Sequence, residues 1–224
     1  MSSDLRVGRV LHGVSAEGPG RRTAIWTQGC SIRCHGCINP HLFPAAGGHD
    51  MTVAEIIRGA LASQDEGITI LGGEPFDQAA ACAALSRAAQ AGGLGVICFT
   101  GHVMEDLVDD PSAQALLQHV DLLVDGPYMA DSPDVRRSLV GSTNQRFHHL
   151  TTRYAGYEPD QTPDRLEVRI ARDGSVEGAG FLTQPQLEGL ASDLGLRRVP
   201  RRTPQPPNPE QTGAPPSSDD GAPE

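Results

Sequence analysis

Apolar and polar positions alternate from Leu5 to Val14, the period of a strand with one buried face, and the turn residues Glu17-Gly18-Pro19-Gly20 end it. Thr23–Thr27 predicts a second strand that runs directly into a cysteine-rich loop. Thr52-Val53-Ala54-Glu55 has the spacing of a capping box and predicts a helix to about Ala62. The short apolar run Gly67–Leu71 predicts a strand leading into Gly72-Gly73-Glu74-Pro75, and an Ala-rich helix from about Gln78 to Ala91 follows. Leu94–Phe99 is another buried strand, ending at Thr100-Gly101. A helix through Ala113–Gln118 then leads to a strand over Asp121–Val124, which ends at Asp125-Gly126-Pro127.

Strands alternating with helices predict an α/β fold with a parallel sheet built from right-handed crossovers. The unusual residues gather at one place in that scheme. Cys30–Cys37, Gly72–Pro75, Thr100-Gly101 and Asp125–Pro127 each follow the C-terminal end of a strand, the edge that carries the active site in α/β folds. Beyond Tyr157 the pattern changes. Leu166–Ile170 alternates ahead of Asp173-Gly174, which predicts a β-hairpin, and Thr183 is placed to cap a last helix to about Leu194. The expected organisation is a domain over 1–157, an extension of hairpin plus short helix over 158–199, and a disordered, proline-rich acidic tail over 200–224.

Composition narrows the function. The chain has 224 residues, 38% of them hydrophobic, enough for one core of Val, Ile, Leu and Ala plus an appendage. A net charge of −10 argues against nucleic acid as the main partner. All 18 basic residues are arginine, so no lysine is present to act as a nucleophile. The amino terminus lacks the apolar stretch of a signal peptide and no segment has the length of a membrane span, so a cytoplasmic protein with no membrane partner is expected. Five cysteines, three of them within eight residues, suit a reducing compartment and a metal site better than a disulfide framework.

The three are Cys30, Cys34 and Cys37, spaced C-x3-C-x2-C behind Gly29. Three thiolates are one short of a closed four-ligand site, and an incomplete set leaves the open coordination position that chemistry at a metal requires. A zinc knuckle completed by His35 or His41 is the alternative, although zinc sites usually present two separated pairs. Cys82 and Cys98 lie in an Ala-rich helix and an apolar strand and are read as small buried hydrophobes. The glycines of Gly72-Gly73-Glu74-Pro75 allow backbone to approach a ligand closely. Asp125 ends an apolar strand. Asn144, Gln145 and Arg146 form a polar loop, Arg146 having the planar fork that suits a carboxylate, and the adjacent His148 and His149 are read as surface residues.

On Cys30, Cys34 and Cys37 the chain resembles the radical S-adenosylmethionine superfamily. Gly36, where many of those enzymes carry an aromatic residue, resembles a narrower group: the activating enzymes of anaerobic ribonucleotide reductase. The stretches Glu17–Arg21, Gln28–Cys30, Ile68–Pro75, Thr100-Gly101, Val124–Pro127 and Gly141–Arg146 are similar to that group's motifs in the same order. The resemblance implies a partial (β/α)6-type barrel. It implies a 4Fe–4S cluster on Cys30, Cys34 and Cys37, with the fourth iron left for the amino and carboxylate groups of S-adenosylmethionine. Gly72, Gly73, Glu74 and Pro75 would hold the amino group, and Asp125 would line the pocket or help hold a cation. Thr100, Asn144 and Arg146 are further pocket candidates. It also implies reductive cleavage to a 5′-deoxyadenosyl radical, a glycyl radical enzyme such as anaerobic ribonucleotide reductase as partner, and a flavodoxin- or ferredoxin-type electron donor. Hydrogen abstraction from a small molecule or peptide is the near alternative. A non-catalytic zinc-binding interaction module is the alternative of another class.

Overall fold

A computed structural model describes residues 4–195 apart from 171, 175, 182, 183 and 194. The expected helix cap at Thr183, the helix end at Leu194 and the tail over 200–224 lie outside the described residues.

A seven-stranded mixed sheet carries the fold. Its strands are β1 (Asp4–Val14), β2 (Arg22–Thr27), β3 (His49–Thr52), β4 (Gly67–Gly72), β5 (Gly95–Phe99), β6 (Leu122–Asp125) and β7 (Arg146–His149), in the spatial order β3-β1-β2-β4-β5-β6-β7. Only β2, β4, β5 and β6 run parallel; β1, β3 and β7 are antiparallel to their neighbours. The wholly parallel sheet expected from the alternation of strands and helices therefore holds for the centre and fails at both sides. The two edge strands were not foreseen. His49–Thr52 and Arg146–His149 are four residues each and mostly polar, and an exposed edge imposes no alternation for a pattern to register. The segment read as a polar loop at Arg146 is thus the start of β7.

The four parallel strands read as continuous apolar runs because both of their faces are covered. On one face, helices α1 (Val53–Ala62), α2 (Ala79–Ala91), α3 (Met104–Leu107) and α4 (Pro111–Leu117) accompany a core of Ile25, Ile56, Ile68, Ile70, Leu85, Val96, Leu116 and Leu123. Cys82 and Cys98 are fully buried in that cluster, and burial pushes both thiols up. The opposite face gathers Leu11, Val14, Ala16, Ala24, Trp26, Leu42 and Leu71. Along β2 the alternation is visible residue by residue, Ile25 facing the helices and Ala24 and Trp26 facing away. In β1 the pairing register shifts between Val7 and Arg9, and this bulge turns the strand over. Leu5 and Val7 serve the helix side, whereas Leu11 and Val14 serve the other.

The capping box predicted at Thr52 forms in both directions. Thr52 Oγ1 accepts from Glu55 N at 3.2 Å, and Glu55 Oε2 accepts from Thr52 N at 2.8 Å. The expected hairpin is present as β8 (Leu166–Ile170) and β9 (Val176–Gly180), followed by α5 (Gln184–Asp193). It lies against the face opposite the helices, where Ala179 joins the Trp26 cluster. Among the described residues no helix is long and apolar enough to cross a membrane.

Candidate functional site

Because β2, β4, β5 and β6 are parallel, the segments that follow them emerge at one edge of the sheet. The cysteine loop leaves β2 through Gly29, whose φ of +96° is a left-handed conformation that glycine adopts without strain. Gly29 N donates to Leu42 O at 2.9 Å and Cys30 N to Phe43 O at 3.2 Å, so the loop is closed on its own far end. Cys30, Cys34 and Cys37 are half-buried and none is in a disulfide. Their sulfurs already attract backbone donors, Arg33 N on Cys30 Sγ at 3.5 Å and Asn39 N on Cys37 Sγ at 3.4 Å. Burial pushes the Cys30 and Cys37 thiols up.

The glycine turn after β4 is fastened to the root of this loop. Gly73 N donates to Thr27 O at 2.9 Å and Glu74 N to Gly29 O at 2.8 Å. A Cβ on Gly73 would lie 2.0 Å from Gly29 O, so no other residue fits without moving the cysteine loop. Glu74 is 1% exposed, and its carboxylate is occupied by protein donors. Oε1 accepts from Phe76 N and from Thr100 Oγ1, each at 2.9 Å, and Oε2 accepts from Gly101 N at 2.9 Å. Burial raises its pKa against the pull of these bonds. Glu74 therefore braces the ends of β4 and β5, with Thr100 in the same brace, and buried Pro75 opens the short 3-10 helix Pro75–Gln78.

That helix supplies two residues the sequence reading missed. Asp77 accepts from Ser31 N and Ser31 Oγ, both at 2.7 Å, and pins the cysteine loop one residue past Cys30. Gln78 Nε2 donates to Arg6 O at 2.9 Å and Gln28 O at 3.0 Å, tying β1 to the approach of the loop. The spacing from Glu74 to Gln78 is unremarkable in a sequence; nothing there reveals that both side chains reach back across the sheet edge.

Asp125, at the end of β6, is fully buried. Its Oδ1 accepts from Arg146 Nε at 3.0 Å, and its Oδ2 from Met104 N at 2.7 Å and from Arg146 Nη2. Burial alone would raise this carboxyl; Arg146, Met104 N and His148 outweigh it and hold the pKa below the ordinary value. Arg146 also grips the exposed Glu105 with both terminal nitrogens. His148, expected at the surface, is a correction: its Nε2 lies 3.1 Å from Asp125 Oδ2, because β7 pairs with β6 and turns His148 inward, while His149 faces solvent. The polar stretch before β7 is not a solvated loop either. Gln145 Oε1 accepts from Gly141 N and Ser142 N, and Asn144 Nδ2 donates to Pro127 O at 2.8 Å. Asn144 Oδ1 remains buried without a partner, next to the Asp125–Pro127 turn.

The donor set suits an iron–sulfur cluster: three unpaired thiols on one glycine-hinged loop, flanked by backbone N–H groups directed at sulfur. Among the described residues no three His, Cys, Asp or Glu side chains converge on the point a single metal ion would occupy.

Comparison with known proteins agrees. A family described as a 4Fe–4S single cluster domain matches residues 16–148. The anaerobic ribonucleoside-triphosphate reductase-activating protein of Vibrio cholerae is 29% identical over 145 residues, 60% of this chain and 91% of that protein. The Escherichia coli protein of the same name is 28% identical over 142 residues, 59% of this chain and 91% of its own length. A pyruvate formate-lyase-activating enzyme from Clostridium pasteurianum is 38% identical over a shorter stretch of 64 residues, 26% of this chain and 27% of that protein. With the matched region spanning more than half of the chain, from the loop after β1 into β7, the chain belongs to the 4Fe–4S single cluster domain family.

Proposed function

We propose that this protein uses a 4Fe–4S cluster held by Cys30, Cys34 and Cys37 to cleave S-adenosylmethionine and remove a hydrogen atom from a glycyl radical enzyme of the anaerobic ribonucleotide reductase kind. The observation that carries the reading is the junction of Gly29, Gly73 and Glu74, which holds the three-thiol loop and the glycine turn as one unit at the mouth of four parallel strands. The cluster and S-adenosylmethionine, when bound, supply the one-electron cleavage of the sulfonium bond.

The chain's own residues have three tasks. Cys30, Cys34 and Cys37 would hold the cluster, their three thiols being one fewer than a fully protein-ligated site needs. Gly72 and Gly73 bring backbone within reach of the amino group of S-adenosylmethionine, held in place by the Glu74 brace to Thr100 and Gly101. The unpartnered Asn144 Oδ1 offers an acceptor beside the β6 turn. Asp125, saturated by Arg146 and Met104 N, sets the position of the Pro127 turn and of Asn144 and does not itself meet the ligand. The partial barrel follows from the same reading, with the four parallel strands as its wall.

Anaerobic reconstitution with iron and sulfide, followed by reduction in the presence of S-adenosylmethionine, is expected to give methionine and 5′-deoxyadenosine. Cys30→Ala, Cys34→Ala and Cys37→Ala are each expected to abolish both the cluster absorbance and the product. A fully loaded protein that forms no 5′-deoxyadenosine would sink the proposal. Electron paramagnetic resonance on added anaerobic ribonucleotide reductase tests the partner: a glycyl radical signal is expected, and product without that signal points to another hydrogen donor.

A further inference from the structure

The family match ends at residue 148, and the related activating protein of Vibrio cholerae is aligned over 91% of its length by 60% of this chain. The hairpin β8–β9 is therefore an addition to the shared body, and its position is informative. It lies against the sheet face opposite α1–α4, where its Ala179 joins the cluster of Leu11, Val14, Ala16, Ala24, Trp26, Leu42 and Leu71. Its end reaches the site edge, where the Phe181 ring packs at a tilt against Phe99, the residue before Thr100, with centroids 5.8 Å apart.

The way it is held is unusual for a permanent layer. Strand β8 points its apolar residues outward: Leu166, Val168 and Ile170 are 43%, 36% and 68% exposed. Its charged residues face the body. Arg169 donates to His12 O at 2.7 Å and Gly13 O at 2.9 Å, and Glu167 accepts from Ser15 N at 2.9 Å. From β9, Gly178 O accepts from Arg9 at 2.8 Å and Gly180 N donates to Glu17 at 2.7 Å, both through the hairpin's backbone. Among the described residues of the hairpin, Ala179, 5% exposed, is the one buried in the Trp26 cluster. The polar and backbone contacts of such a cover can be replaced by another extended segment that covers the same apolar face.

We infer that β8–β9 is a displaceable strap over a docking surface, and that the face beneath it, from Arg9 and Trp26 to Phe99, receives an extended backbone segment of the protein partner. The inference rests on the functional reading above, in which a partner's polypeptide must bring a hydrogen atom to the mouth of the parallel strands. The face opposite α1–α4 is the side of the sheet along which an extended segment reaches that mouth. In the resting chain the strap competes for the same groups, Arg9 and Glu17, so partner binding is paid for by strap release.

The test uses the full chain and two readouts. Trp26 is the sole tryptophan and is 6% exposed beneath Ala179, so its emission reports strap position without reference to activity. Affinity is measured by fluorescence anisotropy of a labelled peptide copied from the glycine-bearing segment of an anaerobic ribonucleotide reductase. Ala179→Asp places a carboxylate in the apolar cluster and is expected to red-shift Trp26 and tighten peptide binding, about tenfold if the strap is closed about nine-tenths of the time. Arg169→Ala, which removes two anchoring bonds without altering the cluster, is expected to act in the same direction and guards against a general loss of fold. In the wild type, saturating peptide is expected to red-shift Trp26. Unchanged or weaker peptide binding in variants whose Trp26 has shifted overturns the strap, and so does peptide binding that leaves Trp26 unmoved. If every form binds the peptide as expected yet none forms 5′-deoxyadenosine, the functional reading fails while the strap stands.

Discussion

Glu17 gives the most direct test of the energetics at the joint between the family body and the hairpin. Glu17 is 2% exposed, and its carboxylate accepts a hydrogen bond from Gly180 N at 2.7 Å. Burial lifts its pKa from the ordinary 4.5 to about 7; Gly180 N and Arg9 of β1 pull it down, and Asp164 and Glu167 on the hairpin side push it further up. The folded chain thus keeps this proton to about pH 7, whereas the unfolded chain releases it near 4.5. The group's contribution to stability is fully present below pH 4.5 and is lost as pH rises through about 7. That interval corresponds to about 3 kcal/mol, a substantial part of the stability of an ordinary domain. Glu17→Gln keeps the size and the acceptor for Gly180 N but never carries the charge. It is expected to match the wild type at low pH and to exceed it by up to about 3 kcal/mol at pH 8. Urea unfolding of the apoprotein under anaerobic, reducing conditions, followed by Trp26 emission from pH 5 to pH 8, gives both profiles. Parallel profiles for the two proteins would refute the reasoning, because they would mean that the Glu17 carboxylate is already charged and solvated in the folded state.

Other outcomes follow from the same geometry. Arg22 is fully buried and donates to Thr69 Oγ1, Pro19 O, Tyr154 OH, Ile68 O and Gly95 O; Arg22→Met strands these acceptors and is expected to cost at least about 3 kcal/mol in chemical denaturation. Gly73→Ala drives a Cβ into Gly29 O, and is expected to lower cluster loading, read from iron content and visible absorbance, far more than it lowers the melting temperature of the apoprotein. Asp77→Ala removes both bonds to Ser31 and is expected to speed cluster loss to a chelator while leaving urea stability within about 1 kcal/mol. Thr52→Ala breaks the capping box and is expected to cost about 1 kcal/mol, with no change in cluster retention.

The sequence exposed the site where chemistry demands particular residue types. Three thiols at fixed short spacing and a Gly-Gly turn behind an apolar run are local signals, and the parallel arrangement of β2, β4, β5 and β6 follows from the alternation of strand and helix. The residues that hold the site together left no such trace. Asp77 and Gln78 act on groups 46 to 72 positions away, and a carboxylate or amide at the start of a helix looks the same whether it faces water or a loop. His148 was misplaced for the same reason: β7 pairs with β6 by backbone bonds, which are indifferent to side-chain pattern, and that pairing decides which of two adjacent histidines turns inward.

Local composition and short-range spacing were sufficient for the longer helices α1 and α2, the buried strands and the three-cysteine loop, though not for the one-turn α3, because burial on both faces and metal-type chemistry each restrict residue identity position by position. The choice of partners among polar groups was not settled at that level. Glu74 became a brace, Asp125 became the seat of Arg146, and the charged side of β8 turned toward the body, because each depends on what a distant strand presents once the sheet has assembled. Hydrogen bonds to backbone carry no sequence signature on the accepting side, so their geometry emerges only when the chain is folded.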